Sequence, residues 1–78
     1  MRQKTHSLII SFPTTADAMA MEQIAKLYQI DGKLIPVPHF MSTGCGMAWK
    51  GLPDDQEKTI QLLKDKRVEW EEVECLEY

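Results

Sequence analysis

Cysteine is scarce in this sequence, which contains only Cys45 and Cys75 among its 78 residues. The two form no Cys-x-x-Cys pair, so their spacing indicates neither a dithiol redox motif nor a zinc ribbon. One disulfide between them is an alternative, but in a reducing compartment two free thiols are the expected state. We therefore expect a protein that does not depend on a disulfide framework.

Long apolar runs and an excess of basic residues are missing as well. The stretch SLIISF (7–12) is far shorter than the roughly 20 residues that cross a bilayer, and no secretory apolar region follows MRQKTHS (1–7). With a net charge of −3, the chain also lacks the clustered Lys and Arg that phosphate binding needs. These absences predict a cytoplasmic protein that binds neither membrane nor nucleic acid.

The length permits one domain, spanning 1–78, and strand-like patterns alternate with helix-like ones along it. Strands are predicted at 5–12, 33–37, 45–50 and 68–76, and helices at 16–28 and 52–66. Thr14 or Thr15 offers an N-cap hydroxyl, and Asp17 follows Thr14 by three residues. The Asp31–Gly32 pair is predicted to end the first helix.

Each helix pattern carries one apolar stripe that predicts the face turned to a sheet. The second stripe is Ile60 and Leu63, with Leu62 beside it. The members of the first stripe are Ala16, Ala20, Ile24 and Leu27, with Met21 and Tyr28 alongside. Pro36 cannot donate to a strand ladder, so the second strand is predicted at a sheet edge.

The order strand–helix–strand–strand–helix–strand predicts the α+β class, as a ferredoxin-like βαββαβ two-layer sandwich. Its antiparallel sheet has the order 4-1-3-2, and both helices cover one face. We take the central first and third strands as parallel, so that Cys45, His6 and Cys75 share one end of the molecule. Cys45 and Cys75 would then lie about 10 Å apart, beyond the roughly 7 Å between Cα atoms that a disulfide allows.

The sheet face away from the helices is predicted to be apolar and uncovered. Leu8, Ile10 and Phe12 would face the helices, and Ile9 would face the other way. Val37, Met47 and Trp49 are expected to join Ile9. Such a surface predicts a homodimer or a docking site, although isolated exposed apolar residues are common.

Cys45 lies between two glycines, Gly44 and Gly46, in the stretch MSTGCGMAW (41–49). Glycines leave the sulfur accessible, and successive amide hydrogens in such a turn can bind a thiolate. Ser42 and Thr43 could add hydroxyl donors. The alternative is a structural cysteine beside a bulge or a tight turn.

Three further residues are candidates for parts of a site. A protonated His39 or His6 near the sulfur would favour the thiolate, although a lone histidine is more often a surface residue. For Cys75, which has no neighbouring glycine or basic residue, a structural role is favoured. The histidines and cysteines have no ligand-like spacing, so neither metal nor cofactor is expected.

The stretches FPTTADAMAMEQ (12–23) and LIPVPHFMSTGCGMAW (34–49) resemble a family of small bacterial selenium or sulfur carrier-like proteins. The shared pattern is a strand ending in Phe12, a Thr pair, a helix with Ala and Glu, Ile-Pro-x-Pro at 35–38, and Ser42-x-x-Cys45-Gly46. The resemblance implies that Cys45 holds sulfur or selenium as a persulfide or selenopersulfide. Where that family often has Arg after the second proline, this chain has His39.

The resemblance also implies partners, namely sulfur- or selenium-transfer proteins. A carrier needs one exposed nucleophilic sulfur and little else, because donor and acceptor enzymes supply the remaining catalysis. We therefore expect a carrier or binding protein more than a stand-alone enzyme. The alternative function is a non-catalytic ferredoxin-like binding or regulatory module in which Cys45 is structural.

Overall fold

Four strands and two helices alternate along the chain in this computed structural model, which describes residues 6–41 and 44–78. The elements are β1 (His6–Ser11), α1 (Thr15–Tyr28), β2 (Gly32–Pro36), β3 (Met47–Gly51), a 3-10 turn (Pro53–Asp55), α2 (Gln56–Asp65) and β4 (Glu72–Glu77). The predicted α+β class and alternation of elements are confirmed. No helix in the described part of the chain is long and apolar enough to span a membrane.

The strands form one antiparallel sheet in the order β2-β3-β1-β4. This is the predicted order 4-1-3-2, read from the opposite edge, and β2 with Pro36 lies at an edge as expected. The prediction that the first and third strands are parallel is wrong, because Leu8 pairs with Gly51 and Ser11 pairs with Ala48. Since β3 is antiparallel to both of its neighbours, it begins where β1 ends.

The main core fills the space between one sheet face and both helices. β1 contributes Leu8, Ile10 and Phe12, which are all fully buried. The helices complete this cluster with Ala18, Met21, Ile24 and Ala25 from α1 and Leu63 from α2. Burial of these apolar side chains removes them from water at roughly 25 cal/mol per Å² of apolar surface, which is the main favourable contribution to folding.

The apolar stripe predicted for α1 is only partly correct. Ile24 and Met21 are buried, but Leu27 is 74% exposed and Ala16 is exposed too. The buried face instead includes Ala18 and Ala25, which lie on the same side of a helix as Met21 because residues three and four apart are neighbours. The stripe on α2 agrees better with its prediction, because Leu63 is buried and Ile60 packs against the core.

The start of α1 is capped as the sequence predicts. The Thr14 hydroxyl oxygen accepts a hydrogen bond from the Asp17 amide at 3.1 Å and donates one to the Asp17 carboxylate at 2.6 Å. Asp17 also accepts from the Glu69 amide at 3.3 Å. The cap therefore joins the first turn of α1 to the segment that leads into β4.

The end of α1 at residue 28 is as predicted, but the residue that terminates the helix is not. The helix ends at Tyr28, and Gln29 takes a left-handed conformation with φ of 56°. The Ile30 amide then donates to the carbonyl of Ala25 at 2.9 Å. Gly32 does not end the helix but begins β2.

Trp49 explains two of the four glycines. A Cβ at Gly32 would lie 2.6 Å from the indole ring, and a Cβ at Gly51 would lie 2.8 Å from its Nε1. The two glycines pair across β2 and β3. They therefore leave the indole room in the core, where Nε1 finds no hydrogen-bond partner among the described residues.

The sheet face away from the helices is better covered than predicted, and its apolar residues differ from the predicted set. Ile9 and Ala48 are fully buried there and cluster with Met41, from the loop that follows β2. Val37 packs against this cluster as expected. Met47 and Trp49 were wrongly placed on this face, because they pack into the helix-side core.

Candidate functional site

The turn Gly44–Gly46, which we call the cysteine turn, precedes β3 and lies at the end of β1. The third strand was predicted to begin at Cys45, but it begins at Met47. Cys45 therefore belongs to irregular backbone, where side chains are positioned by specific contacts and not by a ladder. Its side chain is partly buried and packs against the helix-side core.

The Cys45 sulfur lies against main-chain oxygens. Sγ donates to the Phe12 carbonyl at 3.3 Å and makes a longer contact of 3.8 Å with the Met47 carbonyl. Carbonyl oxygens accept hydrogen bonds, so this arrangement suits a protonated thiol as donor. The described contacts thus differ from the predicted binding of a thiolate by amide hydrogens.

The Gly44 amide binds a side-chain carboxylate and not the predicted thiolate. Gly44 N–H donates to Glu71 Oε1 at 2.8 Å. The Glu71 amide in turn donates to the Ser11 carbonyl at 2.7 Å. The predicted ability of this turn to bind negative charge is therefore used by Glu71, which approaches from the segment before β4.

The two glycines beside Cys45 are required for different reasons. A Cβ at Gly44 would lie 2.5 Å from the Pro13 carbonyl oxygen, so this glycine allows the turn to approach the chain at the start of α1. Gly46 has open space around it but a φ of 78°, which L side chains rarely adopt. Both glycines shape the backbone, and neither is explained by access to the sulfur alone.

The C-terminal side of the cysteine turn continues the sheet. The Gly46 carbonyl accepts from the Val37 amide at 2.9 Å, directly beyond the last β2–β3 pair, Pro36 with Met47. Cys45 is thus fixed to β2 on one side. On the other side the turn is fixed by Glu71.

His6 and Cys75 lie at the opposite end of β1 from Cys45, contrary to the prediction. His6 pairs with Glu77, and Cys75 pairs with Leu8. The distance along β1 from Leu8 to Phe12, beside Cys45, is about 13 Å at 3.3 Å per residue. The prediction erred because it treated β3 as parallel to β1, which moved the start of β3 to the wrong end.

Both cysteines are thiols and not halves of a disulfide. Cys75 is exposed, and its Sγ donates to the side-chain oxygen of Gln56 at 3.1 Å. It is therefore the more accessible of the two, which is the reverse of the expected order. Cys75 contacts α2, whereas Cys45 contacts the end of β1.

The other residues predicted beside Cys45 are distributed differently. Ser42 and Thr43 lie outside the described residues. His39 is exposed and its ring contacts Phe40 edge-on at 5.6 Å. Phe40 contacts Tyr78, and Met41 belongs to the cluster on the face away from the helices. This loop therefore packs on a different face from the Cys45 side chain.

A cavity of about 400 Å³ lies at the far end of the sheet from Cys45. Its lining includes His6, Lys33, Lys50 and Gly51. Within the described ranges, 6–41 and 44–78, no group of three or more His, Cys, Asp or Glu side chains is arranged to hold a metal ion. Among the contacts given above for the described residues, those of the cysteine turn involve the Cys45 thiol, main-chain groups and the Glu71 carboxylate.

Glu71 was missed by the sequence reasoning. It is 27 residues from its partner Gly44, and it lies in the acidic stretch EWEEVE (69–74), whose composition does not indicate a specific contact. Its role depends on which carbonyl of β1 its amide meets. The contact between Glu71 and Gly44 can be predicted only once the β1–β4 pairing is known.

The comparison with known families agrees with the resemblance seen in residues 12–23 and 34–49. The chain matches the family described as "Putative Se/S carrier protein-like" over residues 7–74. Because this match covers most of the chain, including the cysteine turn and Glu71, the chain belongs to that family. No curated protein and no solved structure matches it.

Proposed function

We propose that this member of the Se/S carrier protein-like family carries sulfur or selenium on Cys45. The family match over residues 7–74 is the observation that carries the proposal. The partly buried Cys45 thiol, in a turn with exposed glycines on both sides, supports it. The proposed fold is the ferredoxin-like sandwich, and the proposed compartment is the cytoplasm, where such thiols stay reduced.

The proposed transfer moves one sulfane sulfur atom between two thiols without net oxidation. The Cys45 sulfur attacks the outer sulfur of a donor persulfide and forms a new S–S bond. The donor S–S bond breaks, its electron pair leaves on the donor sulfur, and that sulfur takes up the proton that Cys45 loses. The acceptor repeats the step on Cys45, and selenium would follow the same course.

Partial burial suits the carrying step. Thiol exchange depends on access to the sulfur that is attacked, so a persulfide on an exposed cysteine is rapidly lost to other thiols. Cys45 is more enclosed than Cys75. We therefore propose that Cys45 retains its cargo between the donor and the acceptor, both of which are sulfur- or selenium-transfer proteins.

The test uses the two cysteines as a matched pair. The wild type, Cys45→Ser and Cys75→Ser are incubated with a small-molecule persulfide and desalted, and their retained sulfur is measured as thiocyanate released by cyanide. We expect Cys75→Ser to retain sulfur as the wild type does and Cys45→Ser to retain very little. Equal loss in both variants, or loss only in Cys75→Ser, would refute the proposal.

The second candidate is a binding module in which Cys45 is structural. The hydrogen bond from Cys45 Sγ to the Phe12 carbonyl favours it, because this contact ties the cysteine turn to β1. A structural Cys45 predicts that Cys45→Ser lowers the free energy of unfolding and that sulfur retention does not distinguish the two cysteines. Chemical denaturation of the same variants separates the two functions.

The proposed association surface is the sheet face away from the helices. Met41 covers Ile9 and Ala48 there, so the apolar side chains left exposed nearby are Phe40 and Tyr78, at 54% and 38%. A homodimer through this face remains a prediction. Sedimentation equilibrium of the wild type and Phe40→Ala tests it, with weaker association expected for the variant.

A further inference from the structure

Glu71 occupies an anion-binding group of the cysteine turn. Its carboxylate accepts from the Gly44 amide at 2.8 Å. Hydrogen bonds to a charged acceptor are stronger than those between neutral groups. The bond joins two exposed residues, so it can break without opening the core.

Glu71 and Cys45 are anchored to neighbouring residues at the end of β1. The Glu71 amide binds the Ser11 carbonyl, and Cys45 Sγ binds the Phe12 carbonyl. The Glu71 main chain is thus held fixed, and its side chain reaches across to the residue just before Cys45. The Glu71 carboxylate can therefore hold the N-terminal side of the cysteine turn against β1.

The other side of the turn has a built-in pivot. Gly46 is held by the Val37 amide and has a φ of 78°. Apart from its two chain neighbours, no heavy atom in the part of the chain that the structure describes lies within 4 Å of the point where a Cβ would stand. A glycine moves between backbone conformations at little cost. Once the contact with Glu71 is broken, the restraints described for Cys45 against a swing about Gly46 are its hydrogen bond to the Phe12 carbonyl and its packing against the core.

We propose that Glu71 is a positioning residue that sets how readily Cys45 reacts. With Glu71 bound to Gly44, the cysteine turn stays against β1 and Cys45 exchanges slowly. A cationic side chain of a transfer partner would draw Glu71 away and release the turn. For sulfur exchange this inference rests on the proposed carrier function, whereas for Cys45 accessibility it does not.

A role of Glu71 in opening the turn predicts a specific change in the reaction rates of Cys45. A residue that only controls opening of the turn changes the rates of loading and unloading of Cys45 by the same factor and leaves their equilibrium unchanged. The net contribution of a typical intramolecular hydrogen bond corresponds to a factor of about five, and we expect this size of effect because both partners here are exposed. A residue that only supports the fold would instead change the midpoint of denaturation.

The experiment compares Glu71→Ala and Glu71→Gln with Glu69→Gln, a matched charge change in the same segment. Alkylation of Cys45 and Cys75 is followed separately by peptide mass spectrometry, so Cys75 serves as a control within each molecule. We expect Cys45 to react about five times faster in Glu71→Ala and by a smaller factor in Glu71→Gln. Glu69→Gln, the Cys75 rate and the denaturation midpoint should not change.

Equal Cys45 rates in wild type and Glu71→Ala, or a matching fall in the denaturation midpoint, would overturn the inference. If Cys45 responds as expected but never retains sulfur, the carrier function fails while the role of Glu71 stands.

Discussion

Cys45 follows the end of β1 in space, whereas Cys75 pairs with Leu8 in the first half of that strand, and the two differ in exposure and in the groups that their sulfurs contact. Cys75 lies in the edge strand β4 and is exposed. Its sulfur donates a hydrogen bond to the Gln56 side chain. Cys45 lies in a turn, is partly buried, and contacts main-chain oxygens at the end of β1. If exposure alone decided which thiol reacts, Cys75 would react before Cys45. A function for Cys45 therefore depends on how the cysteine turn holds its sulfur.

The largest expected effect comes from Gly44→Ala. The new methyl group would lie 2.5 Å from the Pro13 carbonyl oxygen, and main chain on both sides cannot move aside cheaply. Displacing the turn corresponds to about 2 kcal/mol, within the usual range for strained substitutions, so Cys45 alkylation should accelerate by more than about tenfold. An unchanged Cys45 rate, with Cys75 as the internal control, would show that the turn does not restrict the sulfur.

Gly46→Ala tests the pivot on the other side of Cys45. Alanine at a positive φ costs about 1 kcal/mol or more, so we expect the turn to loosen and Cys45 alkylation to rise about fivefold. Asparagine tolerates this region better than alanine, which makes Gly46→Asn the matched control with a smaller increase. Identical effects of the two substitutions would show that backbone strain at Gly46 is not the cause.

Thr14→Ala tests the N-cap of α1. This cap adjoins Pro13, the residue that Gly44 of the cysteine turn approaches. Loss of the Thr14–Asp17 hydrogen bonds should lower the free energy of unfolding by about 1 kcal/mol. Thr15→Ala, one residue further along, is the control and should have little effect. Chemical denaturation measures both, and equal stabilities for the two variants would contradict the cap described here.

The smallest effect is expected from Gln56→Ala, which removes the hydrogen-bond partner of Cys75. Because Cys75 is exposed and Gln56 is only partly buried, water replaces the lost contact. Cys75 alkylation should therefore change by less than about twofold, and Cys45 alkylation should not change. A large rise in the Cys75 rate would mean that the two cysteines are held by contacts of similar strength.

Local signals predicted most of the fold. The Thr14 cap, Pro36 at a sheet edge and the β1 strand, predicted from a β-branched and aromatic run that stops at Pro13, each depend on near neighbours in sequence, and each is confirmed. The face of α1 was harder to predict, because small alanines at 18 and 25 carry a weak hydrophobic signal. Leu27 has a strong hydrophobic signal, yet it is exposed.

The arrangement around Cys45 could not be predicted from the sequence. The motif around Cys45 directed attention to this segment, which lies within the residues of the family match. Its surroundings depend on the direction of β3 relative to β1 and on the register of β4, which bring Phe12 and Glu71 to Cys45 and take His6 away. Such long-range pairings leave no local trace in one sequence.

The most direct test of the carrier role follows sulfur on both cysteines of one wild-type molecule. The protein is loaded with a small-molecule persulfide and then exposed to excess thiol, and the sulfur remaining on each cysteine is measured by peptide mass spectrometry over time. We predict that the lifetime of sulfur on Cys45 is about tenfold or more longer than on Cys75, because access to the sulfur limits thiol exchange. Equal lifetimes, or a longer lifetime on Cys75, would contradict it.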